Sequence, residues 1–301
     1  MTHHRAVWTL VLCSLMWSIA GVVSRFLESA QGFEVTFWRS AFNALALVPM
    51  LLWLKGPAGL AAAFRQGGRA LWLSGLCWGV MYTAFMLALT LTTVANVLVT
   101  MSVGPLFTAL LARAVLGHRL QQRTWGAIAL AGVGIAWMYG HEVSGGDSRH
   151  LLGTAVALAV PVAAGVNWTL LQHLKGQASP PDMLAAVLIG AALSAAVTLP
   201  LAVPFAASGP DIAWLALLGV FQLAIPCLLA VAAARVLAGP EISLLGLLEV
   251  VFGVLWAWLG ANEAPSVAVL GGGGLVLLAL MGNEWLGWRG RYSARAVDGP
   301  V

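Results

Sequence analysis

The chain has 301 residues, 60% of them hydrophobic and 9% charged, with a mean hydropathy of +0.91; so little charge cannot cover a water-facing surface, which excludes a soluble globular protein. The formal charge of +4 and pI near 9.3 do not indicate nucleic acid, because the basic residues are scattered between apolar segments. The three cysteines, Cys13, Cys77 and Cys227, lie inside apolar segments without CxxC spacing and support neither a disulfide framework nor a metal site.

Apolar windows of ~20 residues, the length that spans ~30 Å of hydrocarbon, occur at 6–24, 33–54, 70–90, 92–116, 121–139, 151–172, 182–204, 211–236, 240–260 and 265–286. The first begins like a signal peptide, but its apolar run is long for an h-region and no A-x-A site follows, so it reads as a first transmembrane helix. Short linkers suit neighbouring antiparallel helices. The expected fold class is an all-α polytopic membrane protein with ten transmembrane helices.

Orientation follows from the basic residues, since positively charged loops stay in the cytoplasm. With a cytoplasmic N-terminus that side receives Arg5, Lys55, Arg65, Arg69, Arg113, Arg119, Arg123, Lys175, Arg235, Arg289, Arg291 and Arg295, which is 12 of the 15. Arg25 and Arg149 fall on the other side, and Arg39 lies within the second window. Both termini are therefore expected in the cytoplasm.

The stretches GPLFTALLARAVLGHRL (Gly104 to Leu120) and EVVFGVLWAWLGANEAP (Glu249 to Pro265) match in apolar pattern and aromatic placement at an offset of 145 positions. The first carries Arg113, His118 and Arg119, whereas the second ends without a basic residue. The same offset lays Leu73–Asn96 over Leu218–Glu241. Five helices per half, an odd number, invert the second copy, and the charges follow their compartment. Two inverted repeats are expected, 1–140 and 151–288, followed by a cytoplasmic tail at 289–301. Inverted repeats mark secondary transporters, whose midplane site is exposed alternately to each side.

Four stretches carry a family resemblance: WSIAGVVSRF, FWRSAFNALAL, TVANVLVTMSVGPLFTALLARAVLGHRL and AGPEISLLGLLEVVFGVLWAWLGANEAP. In this order they resemble the EamA family of the drug/metabolite transporter superfamily over residues 5–288, which implies a ten-helix carrier of two five-helix repeats. The family usually has glutamate where His118 stands and proline where Val250 stands; both positions are expected away from the cavity. The chain looks most like the YddG-type exporters, a resemblance that implies export of aromatic and other neutral amino acids.

Most of the tryptophans lie near window ends, as an aromatic belt at the headgroups requires, whereas Trp17, Trp78 and Trp168 lie deeper. Trp78, Tyr82 and Phe85 share a helix face, read either as packing or as a cavity wall that stacks on substrate rings. The polar tips of Trp and Tyr favour protein or a watery cavity over lipid. Deep polar residues are Asn43, Asn96, Thr100, Ser102, Asn167, Gln222, Ser243 and Glu249. Amides at such depth either bond neighbouring helices or serve the carboxylate and ammonium of a zwitterion. The candidate substrate-binding set is Trp17, Asn43, Trp78, Tyr82, Phe85, Asn96, Met101, Asn167, Trp168 and Gln222.

Glu249, near the midplane, is either a proton-coupling or ammonium-binding group or a structural glutamate, neutral or paired with Arg39. Arg39 is that partner or snorkels to the headgroups. Gly104, Pro105, Pro161 and Pro226 are candidate hinges, and Gly271–Gly274 suits close helix approach. The sequence thus suggests a secondary transporter exporting amino acids across a bacterial-type inner membrane by alternating access, as a uniporter. The alternative is an exporter of organic cations or drugs with proton coupling, although the first window lacks an acid before Glu28. An enzyme is disfavoured: every histidine falls at a tail, loop or interface, with no GxSG and no paired intramembrane aspartates. GxxxxGK[ST] is absent, so no ATPase subunit is implied. The expected partners are a small-molecule substrate and the lipid bilayer, without nucleic acid, cofactor or metal.

Overall fold

In the computed structural model the described residues are 1–117, 122–144, 148–178 and 181–297, and their regular structure is all helical, without a strand. His118, Arg119 and the last four residues of the 289–301 segment lie outside the described residues. The first half comprises α1 (His3–Ser24), α2 (Gly32–Gln66), α3 (Gly68–Leu91), α4 (Val94–Met101), α5 (Gly104–Leu116) and α6 (Gln122–Ser144). The second comprises α7 (Ser148–Ala157), α8 (Ala159–Lys175), α9 (Ala185–Ala202), α10 (Gly209–Leu217), a π-helical segment (Leu218–Ala224), α11 (Ile225–Ala234), α12 (Gly239–Ala261) and α13 (Val267–Val297).

Among the described residues, eight stretches are long and apolar enough to cross a membrane, including Val94–Val115, Ser148–Lys175 and Gly209–Ala234, each of which joins consecutive helical segments. The windows at 121–139 and 265–286 fall in α6 and α13, whose apolar parts, Trp125–Gly134 and Val267–Ala279, are shorter. The chain is a multi-pass membrane protein.

Three spans are interrupted at prolines, although Pro49 and Pro200 lie inside continuous helices. A proline has no N–H for the carbonyl four residues upstream. For Pro105 that residue is Met101, where α4 ends; for Pro161 it is Ala157, where α7 ends. For Pro226 it is Gln222, inside the π-helical segment, whose wider turn lets the Ile225 N–H reach the Val220 carbonyl. Val250 is the counterpart of Pro105 at the 145-residue offset, and with its N–H retained α12 runs through unbroken.

Lipid gives apolar helices little drive to associate, so small residues and polar contacts decide the packing. The halves meet along α2 with α9 and along α6 with α13. They also meet where α3 packs on α9 and α2 on the π segment, where α1 packs on α12 and α5 on α8, and where α1 packs on α11 and α3 on α8. Every one of these contacts recurs when the halves are exchanged.

At the end of the bundle where α1 finishes and α2 starts, buried carboxylates hold the loops. Asp211 is fully buried and accepts backbone N–H bonds from Glu28, Ser29, Ala30 and its own cap Ser208 at 2.9–3.1 Å. Reciprocally, Glu34 accepts from Ala206 and Ala207 at 2.9–3.0 Å, so each loop is held by an acid from the other half. Arg25 donates to Glu263 at 2.6 Å and to the carbonyls of Leu89 and Thr92, while Glu263 also accepts the Val94 N–H. At the opposite end Asp182 pairs with both Lys55 and Arg235.

Asp211→Ala orphans four N–H groups and is expected to cost about 3 kcal/mol. Glu241→Ala, which removes only a partly exposed pair with His3, is expected to cost less than about 1 kcal/mol. Thermal unfolding of both variants in detergent checks this order.

Candidate functional site

A cavity of about 140 Å³ lies where α1, α2, α3, the α4–α5 break, α8, the π segment, α11 and α12 meet. At roughly 10–15 Å³ per water centre it has room for on the order of ten waters, the bulk of a small metabolite. One wall is aromatic. Trp78 sits 5.6 Å from Tyr82 and meets Trp168 edge-on at 5.8 Å, both measured between ring centroids. Close contact of α3 with α9 fixes this wall, because a Cβ at Gly190 would overlap the Trp78 Cβ and lie 2.8 Å from the Gly79 nitrogen. On the facing side Trp17 lines the cavity, and its carbonyl accepts the Gln222 Nε2–H at 3.2 Å, tying α1 to the π segment.

Arg39 also borders the cavity. It is only 2% exposed, its guanidinium lies over the Phe85 ring at 5.4 Å, and it is within electrostatic reach of Tyr82, Cys227 and Glu249. It therefore does not snorkel. Glu249 lines the same cavity from α12, yet among the described residues no ion pair joins it to Arg39.

Several polar atoms on this wall lack hydrogen-bond partners within the protein: Arg39 Nε, Trp78 Nε1, the Tyr82 hydroxyl and Gln222 Oε1. Tyr82 stands beside Cys227 and Asn43 without completing a bond to either. Buried polar atoms are nearly always satisfied; these four exceptions belong to residues that line the cavity, and others lie behind it on Asn43, Thr100, Asn167 and Thr169.

Of the residues singled out in the sequence, Trp17, Arg39, Trp78, Tyr82, Phe85, Met101, Trp168, Gln222 and Glu249 line the cavity, as do Gly104, Pro105 and Pro161 at the helix breaks. Asn43, Asn96 and Asn167 do not. Asn96 donates to the Thr92 hydroxyl at 3.1 Å, and Asn167 accepts from the Ser74 hydroxyl at 2.6 Å, which makes it a contact between α8 and α3. Consecutive helix positions point ~100° apart, so Trp168 on the cavity turns Asn167 away from it. Asn43 is fully buried behind Tyr82. Pro226 is one residue off the wall, and its carbonyl accepts from the Cys13 thiol. Val250, expected away from the cavity, lines it.

Cys227, Met81 and Gly246 line the cavity and were not singled out from the sequence. The repeat offset carries a signal for two of them: it pairs Tyr82 with Cys227 and Met101 with Gly246. It also pairs Trp78 with Leu223, Ser102 with Leu247, Gly104 with Glu249 and Pro105 with Val250, and both members of every pair line the cavity.

Residues 4–140 match the model of the EamA-like transporter family. By its description that is a family of transporters, which agrees with a cavity enclosed by spans. A protein of known crystal structure aligns with 95% of this chain and 99% of its own at TM-score 0.61 and 18% identity, which establishes a shared fold. No curated protein matches.

Because its hydroxyl has no partner, Tyr82→Phe is expected to leave the thermal midpoint in detergent unchanged or raised. Ser74→Ala strands the Asn167 carbonyl oxygen and is expected to cost about 1–3 kcal/mol.

Proposed function

We propose that the protein is a secondary transporter of amino acids, aromatic and other neutral ones, which it exports across a bacterial-type inner membrane by alternating access. The observation that carries the substrate is the pair of opposite charges, Arg39 and Glu249, that face one aromatic-walled cavity without touching. A buried charge is costly unless compensated. A zwitterion compensates both at once, with its carboxylate on Arg39 and its ammonium on Glu249, while its side chain stacks on Trp17, Trp78 or Trp168. A lone cation leaves Arg39 repelling it from the same cavity; a lone anion leaves Glu249 doing so.

The transport mode rests on the repeat. Reading the ten apolar windows as ten spans with both termini cytoplasmic puts the two halves in opposite orientations. Contacts that recur on exchange of the halves, and a cavity walled by offset-related pairs, support a site on their pseudo-two-fold axis. Rocking the halves about that axis exposes the cavity to either side, and the interruptions at Pro105, Pro161 and Gln222 to Pro226 are where the spans would bend. The resemblance to YddG-type exporters agrees with aromatic substrates. With only two charges at the cavity, uniport down the amino acid gradient is the simplest energetics. Exchange of organic cations for protons at Glu249 is the competing reading.

Uptake of labelled Phe, Trp, Met and Thr into proteoliposomes, with and without a pH gradient, tests this. Wild type is expected to take up Phe and Trp independently of the gradient, and Arg39→Gln, Glu249→Gln and Trp17→Ala are each expected to lower the flux by about tenfold or more while the fold is intact. Movement of an organic cation with no amino acid flux would sink the substrate assignment, and gradient-driven flux abolished by Glu249→Gln would replace uniport with proton coupling.

A further inference from the structure

Helix α12 carries glycines at 239, 246, 253 and 260, one every seven residues and hence along one face. Three of them are explained by close packing. A Cβ at Gly239 would lie 3.0 Å from the Gln172 side-chain oxygen and 3.2 Å from the Trp168 carbonyl oxygen. At Gly253 it would collide with Leu98, and at Gly260 it would lie 2.7 Å from Val22. Gly246 differs, because a Cβ there would meet nothing within 4 Å. A glycine inside a helix costs about 1 kcal/mol relative to alanine, and at 246 neither packing nor backbone conformation requires it. The space in front of Gly246 is the cavity, which it lines one turn from Ile242 and three residues from Glu249. Its counterpart in the first half, Met101, lines the cavity with a full side chain. The cavity is therefore filled on the Met101 side and bare on the Gly246 side.

We propose that Gly246 is the size-determining position of the site: its missing side chain leaves the room taken by the bulk of the substrate, and the Met101–Gly246 pair sets the largest side chain the carrier accepts. This rests on the amino acid carrier reading and adds to it a cause for the preference for large substrates. A side chain at 246 narrows the cavity without disturbing a helix contact, so the effect falls on selectivity rather than on folding.

The test compares wild type, Gly246→Ala, Gly246→Met and the swap Gly246→Met/Met101→Gly, each shown by thermal unfolding to be folded. The readout is the ratio of uptake efficiencies for Trp over Thr in proteoliposomes, with a parallel series of tetraalkylammonium ions of increasing size. Gly246→Met is expected to lower the Trp:Thr ratio by at least about tenfold, Gly246→Ala to fall between it and wild type, and the swap to recover part of the loss. An unchanged ratio in folded Gly246→Met overturns the proposal. If wild type moves the ammonium ions and no amino acid, the amino acid reading fails by itself; a lower size cut-off for those ions in Gly246→Met then upholds the size role, and an unchanged cut-off overturns it. A wild type that moves neither set overturns both.

Discussion

Hydrocarbon offers no hydrogen bonds, so every polar group that enters it must be satisfied by the protein itself. Much of this architecture follows from that demand. Asp211, Glu34 and the Arg25–Glu263 pair take up backbone donors and acceptors at the turns between spans, where the helical ladder cannot. Within the spans the same demand makes Pro105, Pro161 and Pro226 consequential, because the carbonyl each strands is where a helix stops or widens, whereas Pro49 and Pro200 sit inside continuous helices. The side-chain atoms that escape the rule fall partly on residues that line the cavity, Arg39, Trp78, Tyr82 and Gln222, and partly on Asn43, Thr100, Asn167 and Thr169 behind it.

The cavity is built from matched positions in the two halves, yet it is chemically lopsided. Gly104 faces Glu249 across the offset, Tyr82 faces Cys227, and Pro105, which interrupts its span, corresponds to Val250, which does not. The differences within the offset pairs supply the chemistry: Glu249 against Gly104, Tyr82 against Cys227 and Trp78 against Leu223, with a further indole from Trp168 in the second half. Arg39 has no counterpart on the wall. It comes from α2, held against Phe85 and backed by the close approach of the π segment, since a Cβ at Gly219 would lie 2.7 Å from the Arg39 carbonyl oxygen.

Apolar windows located the helices because hydrophobicity over a span is a local and additive signal. Isolated charges and large aromatics at depth were legible for the same reason: Glu249, Arg39 and Trp78 are expensive or bulky wherever they point, and they ended on the cavity. The amides were harder to place. Asn167 and Trp168 are equally deep, and only the rotation of α8 against α3 decides which of them meets Ser74 and which meets the cavity. The ties at the bundle ends join residues separated by 183 positions for Glu28 and Asp211 and by 238 for Arg25 and Glu263, beyond the reach of any local pattern. Gly246 was passed over because a glycine in an apolar helix reads as a packing residue until its surroundings are known.

Binding by purified protein in detergent tests the central claim, that Arg39 and Glu249 grip the two ends of one zwitterion, independently of any flux. The thermal midpoint would be followed while phenylalanine, phenethylamine and 3-phenylpropionate are titrated, since a ligand that binds only the folded state raises it in proportion to ln(1 + [L]/Kd). The account predicts a concentration-dependent rise with phenylalanine and little or none with either analogue, each of which leaves one buried charge unanswered. A rise with phenethylamine as large as that with phenylalanine would contradict it and identify the cavity as a cation site.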